Sequence, residues 1–193
     1  SQLEAAGITV FLPCTQYEEF PAPLSLGLET DFLPPPFGTA DPSIYEAMRA
    51  HGIKLSLSAE MFYDPDEPMP APENDPLLAL IDAAGLDLIY AIYSYDEPAI
   101  RGVSTAACQA LYEHIKAISA GLQVMLIQGN PHLPASELPA YLDLVAEQGQ
   151  WADIVGFDLY PIGMVHGAVT PYSNGQIVPP GQVVQDFMTW LQT

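Results

Sequence analysis

Two adjacent carboxylates, Asp96 and Glu97, follow an apolar run that starts at Leu86 and ends Tyr93-Ser94-Tyr95, and they stand directly before Pro98. Neighbouring carboxyl groups in a partly apolar, tyrosine-lined setting have their pKa values pushed apart, which lets one hold a proton while the other stays charged. Similar chemistry recurs at the ends of other strand-like segments: Glu60, Gln128 with Asn130, and Asp158 with Tyr160. These residue types bind sugar hydroxyls, orient water or move protons. Glu97 is the candidate general acid/base, and Asp158 and Asp96 are the candidate partner carboxylates. Glu60 and Asn130 are candidate substrate contacts. Tyr95 and Tyr160, together with Tyr93, could stack on sugar rings, although half-buried strand tyrosines serve equally as core. The plainer role for Glu97 is a loop carboxylate capping the turn that Pro98 begins.

Other chemistries lack their signatures. His132 and His166 fall in loops without HExxH spacing, and Cys14 and Cys108 form no CxxC, so no metal site is expected. Asp64, Asp66 and Glu67 resemble a calcium-friendly loop but not the EF-hand pattern. No GxGxxG, P-loop or GxSxG follows a strand, so no cofactor is expected and nucleophilic acyl chemistry has no support. A disulfide between Cys14 and Cys108 and two free core thiols both fit their spacing.

These residues need elements to carry them. Five strand-like segments alternate with helical patterns: Gly7 to Leu12, Ile53 to Ala59, Leu86 to Tyr95, Leu122 to Gln128, and Asp153 to Leu159. Between them the pattern predicts helices from Pro42 to about His51, Pro76 to Ala84, Ser104 to Ser119, and Ser136 to about Gln148, and a final one from about Gly181 to Leu191. Pro42 suits a first helical position, while Gly52, Gly85 and Gly121 suit helix stops. In the third helix Leu111, Ile115 and Ile118 share one face. Strands this apolar, separated by helices, predict a parallel α/β sheet with right-handed crossovers, whose active sites form at the carboxyl ends of the strands.

Bulk composition sets the class of partner. The 193 residues carry 24 acidic against 4 basic side chains, a net charge of −20, which leaves no basic footprint for nucleic acid or anionic membranes. No apolar run approaches the roughly 18 residues of a membrane span. No targeting signal is visible before the first strand, as expected of a processed, trimmed or incomplete product. Ten of the 20 prolines cluster in two loops, at Pro21 to Pro36 and Pro65 to Pro76, and imply long, stiff connections.

Three segments carry a family resemblance: Ala5-Ala6-Gly7-Ile8-Thr9-Val10-Phe11, Tyr95-Asp96-Glu97-Pro98, and Ala152-Asp153-Ile154-Val155-Gly156-Phe157-Asp158-Leu159-Tyr160-Pro161. In these the chain resembles the (β/α)8-barrel glycoside hydrolases. The resemblance implies that the strands are barrel strands two to six, that Glu97 takes the acid/base position after strand four, and that Asp158 ends strand six. It also marks two departures. Asp96 stands where the commoner pair has an Asn that contacts the sugar 2-hydroxyl, and the nucleophile expected after strand seven has no position in these 193 residues. The expectation is therefore a single α/β domain over residues 1–193, an incomplete TIM-barrel-like (βα)n sheet completed by further chain segments or by another copy. Its implied role is hydrolysis or binding of extracellular polysaccharide or oligosaccharide by a secreted protein. The alternative is a non-catalytic carbohydrate-binding or self-assembling subunit on a barrel scaffold.

Overall fold

The computed structural model of the chain describes residues 10–11, 42–52, 54–129, 134–158 and 167–192. Expectations for Cys14, Asn130, His132, Tyr160 and His166, and for the Pro-rich stretch 13–40, fall outside the described residues. The elements in chain order are β1 (Val10–Phe11), α1 (Pro42–Ala50), β2 (Lys54–Ser58), α2 (Pro76–Ala84), β3 (Ile89–Tyr93), α3 (Pro98–Arg101), α4 (Thr105–Ile118), β4 (Gln123–Gly129), α5 (Leu138–Gly149), β5 (Ile154–Asp158) and α6 (Pro180–Trp190). The β1–β2, β2–β3 and β4–β5 pairings are all parallel, which establishes the α/β class. No described helix is long and apolar enough to cross a membrane. Contacts divide the chain into two compact units, Ser1–Tyr93 with His114–Gln123, and Ser94–Glu113 with Val124–Thr193.

In the first unit, β1 lies beside β2 with Val10 opposite Lys54, and β2 lies beside β3 with Ser58 opposite Tyr93. Leu55, Leu57, Ala91 and Ile92 are buried in these strands, as are Leu77, Leu80, Ile81 and Ala84 of α2. Asp75 starts α2 by accepting hydrogen bonds from the amides of Leu77 (2.9 Å) and Leu78 (3.4 Å). The same buried carboxylate accepts from Tyr63 Oη (2.8 Å) and meets His114 Nε2 at 2.7 Å. The Tyr63 and His114 rings pack edge to face, 5.3 Å apart.

The expected strand from Leu86 is shorter than its apolar composition predicts. Leu86–Leu88 forms a 3-10 turn, and the strand begins at Ile89. Gly85, at φ 86°, ends α2 there, and Asp87 is drawn out of any strand by a two-point pairing with Arg49 of α1 (2.9 and 3.1 Å). A long-range ion pair thus overrides local strand propensity.

The second unit pairs β4 with β5 over their full lengths, from Met125 opposite Ile154 to Gly129 opposite Asp158. Asp153 sets this register: its carboxylate accepts from Val124 N (2.8 Å) while its own amide donates to Val124 O (2.8 Å). In α5 the buried side chains are Leu138, Tyr141, Val145 and Gln148, spaced 3 or 4 residues apart as an amphipathic helix requires. Leu138, Tyr141 and Val145 join Ala168, Val183 and Phe187 in a core against which Phe157 and Trp190 pack. The helix beginning near Ser104 forms as expected, with Ser104 Oγ accepting from Ala107 N (3.1 Å) as its cap. Cys108 of α4 is a buried free thiol. The short helix α3 was not legible in the sequence, where Pro98 reads as the start of a turn.

Candidate functional site

The site is built from two strand ends and one turn, all within the second unit. Asp158 closes β5 exactly opposite Gly129, the last residue of β4, and in-register neighbours of parallel strands project from the same face. That face is the reverse of the one bearing Phe157, whose ring lies 4.8 Å from Phe187 of α6. A Cβ placed on Gly129 would lie 2.7 Å from Glu97 Cδ and 2.8 Å from Glu97 Oε1. The Glu97 carboxyl therefore rests against the bare backbone of Gly129, on the side from which Asp158 projects. Only a residue without a side chain permits that approach.

The turn carrying Glu97 is anchored on β4. Ser94, which is buried, donates its amide to Met125 O at 2.7 Å. Three residues later Glu97 takes a left-handed backbone conformation, φ 43° and ψ 50°, at the N-cap of α3. A non-glycine residue held there costs about 1–2 kcal/mol, and such strain gathers at functional positions. The carboxylate makes no capping hydrogen bond to α3. The plain capping role open to Glu97 is thus not the one it performs.

The surroundings of Glu97 raise its pKa. Burial raises its pKa above the ordinary glutamate value, the negative charges of Asp96 and Asp158 raise it further, and Arg101 opposes them. Arg101 is occupied nearby, donating from Nη1 to the Asp96 carbonyl at 3.0 Å with the Asp96 carboxylate 3.9 Å away. Tyr141 donates its hydroxyl to Gly129 O at 2.6 Å, and burial first, then the Glu97 charge, raises its pKa. The phenol is consequently a fixed donor beneath Gly129.

Of the residues expected to form the site, Glu97, Asp96 and Asp158 come together. Tyr95 does not suit a sugar platform: it is fully buried, so neither ring face is open to a ligand. The chain turns inward there to pack Tyr95 before turning out at Asp96, and period-2 alternation could not reveal that reversal. Glu60 is half-exposed in a 3-10 turn, Ala59–Met61, of the first unit. Among the described residues no cluster of three or more His, Cys, Asp or Glu side chains is arranged to hold a metal ion. The loop carboxylate Asp64 instead accepts from the Asp66 amide at 2.9 Å.

Sequence reasoning missed Gly129, Tyr141 and the buried Gln148, and it placed Gln128 at a strand end without its buried partner. A glycine closing an otherwise apolar strand, next to a strand-end Gln, was the available signal. A separate cleft of about 390 Å³ lies against α5, lined by Leu138, Leu142, Asp143, Thr170, Asn174 and Trp190 among others, and contains none of the three carboxylates. Comparison with known protein families, curated proteins and solved structures finds no match to this chain.

Proposed function

We propose that the chain is a glycosidase-like α/β barrel domain acting on extracellular polysaccharide or oligosaccharide, with Glu97 as its general acid/base. The observation that carries this reading is the setting of Glu97: a half-buried carboxyl on strained backbone, uncommitted to capping, with its proton favoured by burial and by Asp96 and Asp158. A carboxyl whose pKa is raised holds its proton to higher pH than an ordinary glutamate, and can donate it to a glycosidic oxygen as the bond to the anomeric carbon breaks. Asp158 is then the second carboxylate. It attacks the anomeric carbon if the two groups stand about 5–5.5 Å apart across a bound sugar, or activates water if they stand about 6.5–9.5 Å apart. Alternating parallel strands and helices, with the acidic groups at strand carboxyl ends, support the barrel assignment.

The test is hydrolysis of a panel of β-linked glucans, xylans, mannans and galactans by the wild type and Glu97→Gln. A general acid contributes about 10²- to 10⁴-fold, so the variant should lose at least a hundredfold while keeping its circular dichroism. Full turnover in Glu97→Gln refutes the assignment. A second reading, a non-catalytic carbohydrate-binding or self-assembling subunit, draws on the exposed apolar side chains Tyr90, Tyr172 and Ile177 (42, 48 and 67% exposed). Glycan binding or ordered oligomers with no turnover by the wild type would favour it.

A further inference from the structure

We propose that Gln128 and Gln148 are a positioning pair, which clamps α3 from below and so holds the Glu97 carboxyl in its working orientation; this rests on the acid/base reading of Glu97. Both glutamines are fully buried (0% exposed), Gln128 in β4 and Gln148 in α5. Three hydrogen bonds link them into one chain. The Ala99 amide donates to Gln128 Oε1 (3.1 Å), Gln128 Nε2 donates to Gln148 Oε1 (2.8 Å), and Gln148 Nε2 donates to Val103 O (2.8 Å).

The two ends determine the middle. A backbone N–H can only donate and a carbonyl can only accept, so Gln128 must present its oxygen to Ala99 and Gln148 its nitrogen to Val103. The remaining Nε2 and Oε1 then face each other with correct polarity, and flipping either amide would break two bonds at once. Head-to-tail alignment of this kind also strengthens each bond in a low-dielectric interior.

Both ends of the chain return to one short segment. Ala99 is the second residue of α3, and Val103 lies just beyond its end, after Gly102 in the left-handed region at φ 77°. A helix of four residues cannot hold itself, because nucleation is unfavourable until more turns are added. The amide of Ala99 is also one of those that a helix start leaves without a partner. The clamp supplies that partner directly after Glu97, whose left-handed backbone must be over-determined by its surroundings to persist. Packing alone does not account for the pair, since burying two primary amides is costlier than burying apolar side chains of similar size. What the amides add is direction.

The test uses Gln128→Met and Gln148→Met, which keep side-chain length and remove the bonds. The readouts are the ¹³C NMR titration of the Glu97 carboxyl, amide exchange at Ala99, and glycan hydrolysis across pH. In the wild type, the Ala99 amide is expected to be protected and Glu97 to titrate above the ordinary glutamate value of about 4.3. In either variant the turn relaxes: Ala99 exchanges faster, and the Glu97 midpoint falls toward that ordinary value. Where hydrolysis is measurable, kcat falls roughly tenfold to a hundredfold with KM little changed. An unchanged Glu97 midpoint in both folded variants overturns the proposal. Rapid exchange at Ala99 in the wild type overturns it too, whether or not the variants fold. If the midpoint shifts as expected but no preparation hydrolyses any glycan, the positioning pair stands and the acid/base reading of Glu97 falls.

Discussion

Replacing Gly129 with Ala puts one methyl group where the Glu97 carboxyl now sits. The new Cβ would lie 2.5 Å from Ile100 Cδ1, 2.7 Å from Glu97 Cδ and 2.8 Å from Glu97 Oε1, all inside the distance at which real carbon atoms pack. Ile100 is 47% exposed, so its side-chain end can swing into solvent. Glu97 has less freedom, because the turn behind it is tied by the Ser94 and Ala99 amides, and the carboxyl itself must rotate away. Overpacking of this size costs about 1–3 kcal/mol. Gly129 lies outside the left-handed region, so Ala returns about 0.5–1 kcal/mol by restricting the unfolded chain. The net loss is roughly 0–2.5 kcal/mol, or up to about 10 °C in Tm for a chain this long. The larger consequence is functional: a carboxyl driven toward water loses its raised pKa and its alignment, and hydrolysis falls about a hundredfold. Thermal unfolding, the ¹³C titration of Glu97 and glycan hydrolysis together read all three effects. A Gly129→Ala variant with wild-type stability and an unshifted Glu97 titration would refute the close approach of Glu97 to Gly129.

Glu97 also makes stability depend on pH. Its folded-state pKa is raised, so between the unfolded and folded values the folded state binds the extra proton, and stability falls as pH rises through that window. Glu97→Gln removes this term: denaturant titrations should show the variant gaining on the wild type from pH 4 to pH 7, and a difference independent of pH would contradict the shift. Asp75→Ala strips a buried carboxylate from the Leu77 amide, Tyr63 Oη and His114, and should cost roughly 3–5 kcal/mol in urea unfolding, with Asp75→Asn costing clearly less. Cys108, whose thiol is pushed up to about 11 by burial, should resist iodoacetamide at pH 8 until the protein unfolds, as mass mapping of its peptide would reveal; rapid native labelling would contradict that burial.

Much of the framework was legible because its causes are local. Strand and helix periods, the Ser104 cap, the stop at Gly85 and the apolar face of Leu111 and Ile115 are decided within about four residues along the chain, where pattern and propensity act. The Asp96-Glu97 pair stood out as a candidate in the same way, by residue type just past a strand's carboxyl end. What the sequence could not decide is which way the chain turns after β3. Tyr95 goes inward and Glu97 into the left-handed region because of contacts made far along the chain: the Ala99 amide to Gln128 across 29 residues, and Gln128 to Gln148 across 20 more. Asp158 reaches the same face as Glu97 through strand register, which Asp153 sets by gripping Val124 at the other end of β5. A one-residue slip there would turn Asp158 to the helix side while leaving every local propensity unchanged. Side-chain identity along the chain thus nominates the candidate groups, whereas register and buried amides, which exist only once distant segments pair, decide where those groups stand.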